Sequence, residues 1–237
     1  ENYNKFLLVL LLATVFPVIV GIMMQSRIGN VFMLPLTMVP IILTLFTDTR
    51  TAFITHTISI IICSIMLTAS YEFLFLQIMA GCVAIFCIKD LSSRSQIFRC
   101  VFFILLTYTV LYLCYQLIVE SDITKIEPRM YIYFVINAIL LLFAYPLMFI
   151  IEKLFGFISN VTLIELSNVS SKLLRKLSQD APGTFQHSVQ VGNLAAEAAS
   201  AIGANSLEVR TGALFHDIGK TLAPIYFTEN QSGGINP

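Results

Sequence analysis

Six apolar runs, each closed by a short polar break, constrain this chain more than any other feature. They are Phe6–Met24, Val31–Phe46, Ala52–Ala69, Phe73–Ile88, Ile97–Val119 and Met130–Phe155. A hydrocarbon core about 30 Å thick takes roughly 20 helical residues to cross. Lipid offers backbone groups no hydrogen-bond partner, so runs of this kind enter a membrane as helices that satisfy themselves. Composition agrees: 57% of residues are hydrophobic and 12% charged, and the mean hydropathy of +0.84 is too high for a water-soluble domain of this size. The expected fold class is all-α, a polytopic membrane helical bundle of about six spans. The first run is not a signal peptide, because it is long and no small-residue cleavage site follows it. The chain opens on Glu1 rather than Met, and it is expected to be a piece of a longer protein.

Positive charge sets the orientation. Lys89, Arg94 and Arg99 mark the loop between the fourth and fifth runs as cytoplasmic, and Lys153, Lys172, Arg175 and Lys176 follow the sixth. The loop after the third run has no Lys or Arg, and Glu120 to Arg129 is net acidic, which suits the outside. Alternation then puts both ends of the chain in the cytoplasm. Polar groups at membrane depth are costly and need partners. His56, Gln77 and Asn137 are read as makers of interhelical hydrogen bonds, and Glu72 as a solvated group near an interface. Cys63, Cys82, Cys87, Cys100 and Cys114 are odd in number and lie in apolar runs, so they read as packing residues rather than a disulfide framework. With 14 basic and 14 acidic residues the chain has no net charge, so nothing points to nucleic acid as a partner.

Beyond Phe155 the apolar character ends. Residues 157–180 read as a juxtamembrane connector. Within it, Thr162 and Glu165 have capping-box spacing, and Ser171 to Leu177 forms a short amphipathic helix with Leu173, Leu174 and Leu177 on one face. Its Lys172, Arg175 and Lys176 suit anionic headgroups, and a rigid lever toward the following domain fits equally. Thr184 is the expected cap of a helix from Phe185 to Ile202, ended by Gly203. Ser206 is the expected cap of a second helix from Leu207 to about Asp217, with Gly219 behind it. A short loop makes the two helices antiparallel, which brings His187 in the first turn of one beside His216-Asp217 in the last turn of the other. Imidazole and carboxylate are what first-row divalent metals accept when no thiolate is offered. Neighbouring residues project about 100° apart on a helix, so His216 and Asp217 share one ion only at the helix end. Lys220 has two readings, a point charge for phosphate or a cation favoured at a helix C-terminus.

His187 and the pair within HDIGK, together with APGTFQHS, AIGAN, Phe227 and ENQSGGINP (Glu229 to Pro237), resemble the seven-transmembrane HD family of bacterial membrane phosphodiesterases that hydrolyse cyclic di-AMP. The resemblance implies a membrane domain at 1–156, a connector at 157–180, and at 181–237 the N-terminal part of an all-helical cytoplasmic HD domain. It implies cleavage of cyclic di-AMP to pApA, with the membrane region coupling an extracytoplasmic signal to the HD domain. Two divalent metals about 3.5–4 Å apart would turn a shared water into hydroxide and clamp the phosphate. His187 and His216 would each hold one metal, Asp217 would bridge them, and Lys220 joins Asp217 as a catalytic candidate. Manganese or iron is the implied metal, though the donors also suit zinc or nickel. No residue is assigned to an organic cofactor. The remaining ligands would come from sequence after Pro237, so the chain as given is expected to be catalytically inactive.

The implied partners are a cyclic dinucleotide and the lipid bilayer, in a multi-pass plasma-membrane protein for which a homo-oligomer is compatible. An extracytoplasmic domain upstream would start this chain outside, and six spans cannot then finish inside. Either a span is missed or a short run is re-entrant, the second, with Pro35 and Pro40, being the suspect. The competing readings are a non-catalytic receptor with an HD-like output module and an HD phosphodiesterase for another cyclic dinucleotide. A transporter would need intramembrane charges that the runs lack.

Overall fold

The computed structural model describes residues 2–27, 29–68, 70–89, 96–119 and 127–231. Most of the Lys89 to Gln96 loop, most of the acidic Glu120 to Arg129 loop and the end of ENQSGGINP lie outside the described residues. Every regular element among the described residues is helical, and the chain divides into two compact units, Glu1–Phe157 and Ile158–Pro237.

The first unit contains α1 (Asn2–Ser26), α2 (Met38–Phe46), α3 (Thr49–Ile65), α4 (Ser70–Lys89), α5 (Gln96–Val119), α6 (Arg129–Leu141) and α7 (Ala144–Phe155). Four stretches are long and apolar enough to cross a membrane: Tyr3–Ser26, Ser70–Ile88, Gln96–Val119 and Arg129–Phe155. The last of these breaks between α6 and α7. Pro146 has no N–H for the carbonyl of Leu142 and crowds it, and Leu142 and Phe143 instead bond back to Ile139 and Leu140 at 3.2 and 3.0 Å. Outward positions such as Val18, Ile22, Ile58, Phe98 and Phe102 are apolar and exposed, as lipid requires.

The second apolar run departs from a simple span. Val31–Met33 is a 3-10 turn, and α2 has nine residues, a length of about 13.5 Å at 1.5 Å per residue. All of α2 except Thr44 is buried, because α1, α3, α4 and α7 surround it. The run nevertheless crosses the unit. The Asn30 side chain reaches Met130 Sδ at the start of α6 (3.8 Å), whereas Phe46 packs on Phe157 with ring centroids 5.6 Å apart, beyond the end of α7. A re-entrant segment would return to the face it left, so of the two alternatives a re-entrant second run does not fit these contacts, which describe a central crossing with little helix. Asn4 Nδ2 donates to the carbonyl of Phe155 at 2.9 Å, which sets the start of α1 and the end of α7 at one face.

Non-helical backbone at this depth needs protein partners. Asn137 on α6 donates to the carbonyls of Phe32 (3.0 Å) and Leu34 (2.6 Å), both outside any α-helix. His56 Nε2 lies 3.0 Å from the Gln77 carbonyl, and Tyr108 Oη donates to Gln77 Oε1 at 2.6 Å, so three helices are tied together by fully buried polar groups. The imidazole lies against Gly81, where a Cβ would collide with it.

The second unit contains α8 (Asn160–Leu166), α9 (Lys172–Asp180), α10 (Pro182–Ala201) and α11 (Ser206–Phe215), followed by 3-10 turns at Ile218–Leu222, Pro224–Tyr226 and Thr228–Asn230. Its core is Leu174, Leu177, Ala181 and Leu214, flanked by Phe185, Val189, Phe215 and Ile218. The leucine face of α9 is therefore spent within this unit, except for Leu173, which is 57% exposed and does not share it. Three expected caps move. Ser159, not Thr162, caps α8, its hydroxyl accepting from the Thr162 N–H. Asn205, not Ser206, caps α11. Pro182, whose fixed φ and missing N–H suit a first helical position, starts α10 two residues before Thr184. Gly203 ends α10 as expected, with φ of +72° in the left-handed region.

A candidate metal centre

Helices α10 and α11 pack antiparallel. Gly192 sits against Arg210 and Leu214, and moving back along α10 to His187 corresponds to moving forward along α11 to His216. The two imidazole rings meet edge to face, centroids 5.8 Å apart. His216 caps the C-terminus of α11, and Asp217 (φ −110°, ψ 18°) has already left the helix. That turn brings the neighbours to one side, with His216 Nε2 3.2 Å from Asp217 Oδ2. His187, His216 and Asp217 each present one ligand atom within 4.8 Å of the others.

The tautomer of His216 follows from its partner. Nδ1 lies 2.7 Å from the Ala213 carbonyl, and a carbonyl only accepts, so Nδ1 carries the proton and the lone pair of a neutral ring sits on Nε2. That lone pair faces a carboxylate oxygen, and two acceptors side by side call for a proton or a metal cation between them. Fixing a ligating histidine through its other nitrogen in this way is the usual arrangement at metal sites. The donor set and its reach fit a divalent ion.

Lys220 is placed by carboxylates rather than by the end of α11. Its Nζ donates to Asp217 Oδ2 at 2.8 Å and to Glu229 Oε1 at 2.7 Å, and it stands 4.7 Å from the centroid of the Phe227 ring. Hydrogen bonds from Lys220 hold the Glu229 carboxyl well down, to about 2, and the Asp217 and Glu229 carboxylates push the Lys220 ammonium up. Thr184 Oγ1 also donates to Glu229 Oε1, at 3.0 Å.

Thr184 and its neighbours do a job that the sequence hid. Ala181 has no side chain to cap α10, so the exposed N–H groups of its first turn need outside partners. Asn230 supplies one from 46 residues away: its Oδ1 accepts from the Thr184 N–H at 3.0 Å and its Nδ2 donates to Thr184 Oγ1 at 2.8 Å. The clasp closes against Gly183, where a Cβ would run into the Glu229 carbonyl. Glu229 and Asn230 belong to a motif quoted above, but nothing in their spacing indicated that they fold back onto the start of α10.

The model of the family described as 7TM receptor with intracellular HD hydrolase matches residues 1–159, and the HD domain model matches residues 184–235. Among curated proteins, the chain is 34% identical over 236 residues to the cyclic-di-AMP phosphodiesterase PgpH of Listeria monocytogenes, covering 95% of this chain and 32% of that protein. It is 31% identical over 247 residues to PgpH of Bacillus subtilis, covering 100% of this chain and 35% of the relative. An uncharacterised Synechocystis protein, slr0104, is 49% identical over 86 residues, 36% of this chain and 11% of that protein. The chain thus spans about a third of the length of the two PgpH proteins. No solved structure matches it.

Proposed function

From the premise that this chain belongs to the family of 7TM receptors with an intracellular HD hydrolase domain, we propose that it serves metal-dependent hydrolysis of cyclic di-AMP to pApA. It is a membrane protein, and its HD domain implies divalent metal binding. In this reading residues 1–156 form the membrane domain, 157–180 the connector and 181–237 the N-terminal part of a cytoplasmic HD domain. His187, His216 and Asp217 hold metal, two ions in the full-length enzyme, with manganese or iron favoured. Both PgpH relatives carry the activity in their names. The observation that carries the site is the convergence of three ligand atoms within 4.8 Å from two helices and the turn after them.

When bound, divalent metal supplies Lewis acidity toward a phosphate oxygen and a water acidified toward neutral pH. The protein supplies the rest. The Ala213 carbonyl keeps the Nδ1 proton in place and aims the Nε2 lone pair of His216 outward. Asp217 contributes a carboxylate that is a quarter exposed, and hence open to a ligand from solvent. Lys220, held between Asp217 and Glu229, keeps a positive charge where phosphate oxygens arrive. A non-bridging phosphate oxygen is a strong acceptor for such an ammonium.

The test is Asp217→Ala in the full-length protein, assayed for cyclic di-AMP hydrolysis with added manganese. Loss of hydrolysis with normal membrane insertion is expected. Retained turnover would remove Asp217 from the site. A wild-type protein that binds cyclic di-AMP without cleaving it, under any metal, would replace the enzyme by a receptor.

A further inference from the structure

Lys220 creates an electrostatic difficulty for the centre. Its ammonium lies 2.8 Å from Asp217 Oδ2, the carboxylate that a divalent cation would share, so it cancels the charge attracting that cation. Glu229 faces the same ammonium at 2.7 Å from the opposite chain segment. Its placement is over-determined. Thr184 Oγ1 donates to the same oxygen, Asn230 beside it caps α10, and the Glu229 backbone closes on Gly183. Two carboxylates around one ammonium leave the trio with one net negative charge, whereas Asp217 and Lys220 alone would be neutral. We propose that Glu229 is a positioning residue of the metal centre: it holds the Lys220 ammonium and offsets its charge, so that Asp217 stays attractive to a divalent cation. This rests on the reading of His187, His216 and Asp217 as ligands, and it adds a residue that does not touch the metal.

The measurement is Mn2+ binding to the full-length protein in detergent, read from the electron paramagnetic resonance signal of free Mn2+. Glu229→Gln keeps shape and hydrogen bonding but removes the charge. It should weaken Mn2+ binding about tenfold at low salt, the scale for one unit charge acting on a dication a few ångströms away in solvent. The deficit should shrink as salt screens it, and Glu229→Asp should restore most of the affinity. Lys220→Met should bind Mn2+ more tightly than wild type, and the double variant Lys220→Met/Glu229→Gln should return to near wild type. Glu229→Gln indistinguishable from wild type, or a deficit equal at all salt concentrations and not rescued by Asp, overturns the proposal. If Glu229→Gln fails to fold, Lys220→Met carries the test, and binding no tighter than wild type overturns it. His216→Ala is the separate control. If it keeps wild-type Mn2+ affinity the ligand reading itself falls, whereas its loss alongside a silent Glu229→Gln sinks only the role of Glu229.

Discussion

The carbonyls of Phe32 and Leu34 lie ahead of α2, in backbone that no helix satisfies, and both accept from the single amide of Asn137. Replacing Asn137 by Leu keeps the volume and strands the buried Phe32 carbonyl, at a cost of about 1–3 kcal/mol, whereas the Leu34 carbonyl keeps its bond from the Leu36 N–H at 2.9 Å. Asn137→Leu should lower the thermal unfolding temperature of the detergent-solubilised protein, and an unchanged midpoint would mean that the Phe32 carbonyl finds another partner. Gly81 is the complementary case, since it is the space rather than the group that matters. A methyl there meets the His56 ring, and overpacking of this kind costs roughly 1–3 kcal/mol. Gly81→Ala should therefore destabilise, and adding His56→Ala should recover part of the loss. If the double variant is no more stable than Gly81→Ala, the ring is not what the methyl meets.

At the scale of elements, α2 and α9 each show an apolar pattern whose meaning depended on what covers it. The nine residues of α2 are too few to cross lipid, yet α2 is buried by neighbouring helices and never needs to face lipid. Pro40 is harmless as its third residue, where no intrahelical bond is lost. In α9 the buried leucines face their own domain: Leu174 and Leu177 are fully buried with Leu214 of α11. Truncating such a residue costs about 2–5 kcal/mol, so Leu174→Ala should expose the second unit to limited proteolysis while leaving membrane insertion intact. If Leu174→Ala instead released the protein from membranes and left its protease resistance unchanged, the leucine would be a lipid contact.

For the whole molecule, the crossings of the first unit alternate. The run from Asn30 to Phe46 passes from the face of Met130 to that of Phe157, and the start of α1 shares a face with the end of α7. By that alternation the end of α4 at Lys89 and the start of α5 at Gln96 belong to the face of Phe155. In an otherwise cysteine-free full-length protein in intact cells, Ser93→Cys should resist an impermeant thiol reagent and Asn30→Cys should react; the reverse result would invert the topology. By itself, the order of residues determined the all-α class, the apolar runs, the end of α10 at Gly203 and the identity of the three candidate ligands. The first three follow from length, hydropathy or turn chemistry confined to a few neighbouring positions, and the ligands from residue type and the resemblance that their surrounding motifs carry. Tertiary structure alone decided that the Pro-bearing run crosses as a buried centre, that Asn230 caps a helix 46 residues away and that Glu229 meets Lys220. The physical reason is that a hydrogen bond or an ion pair needs only a distance and an angle in space. Chain separation leaves no trace of either until the helices have packed.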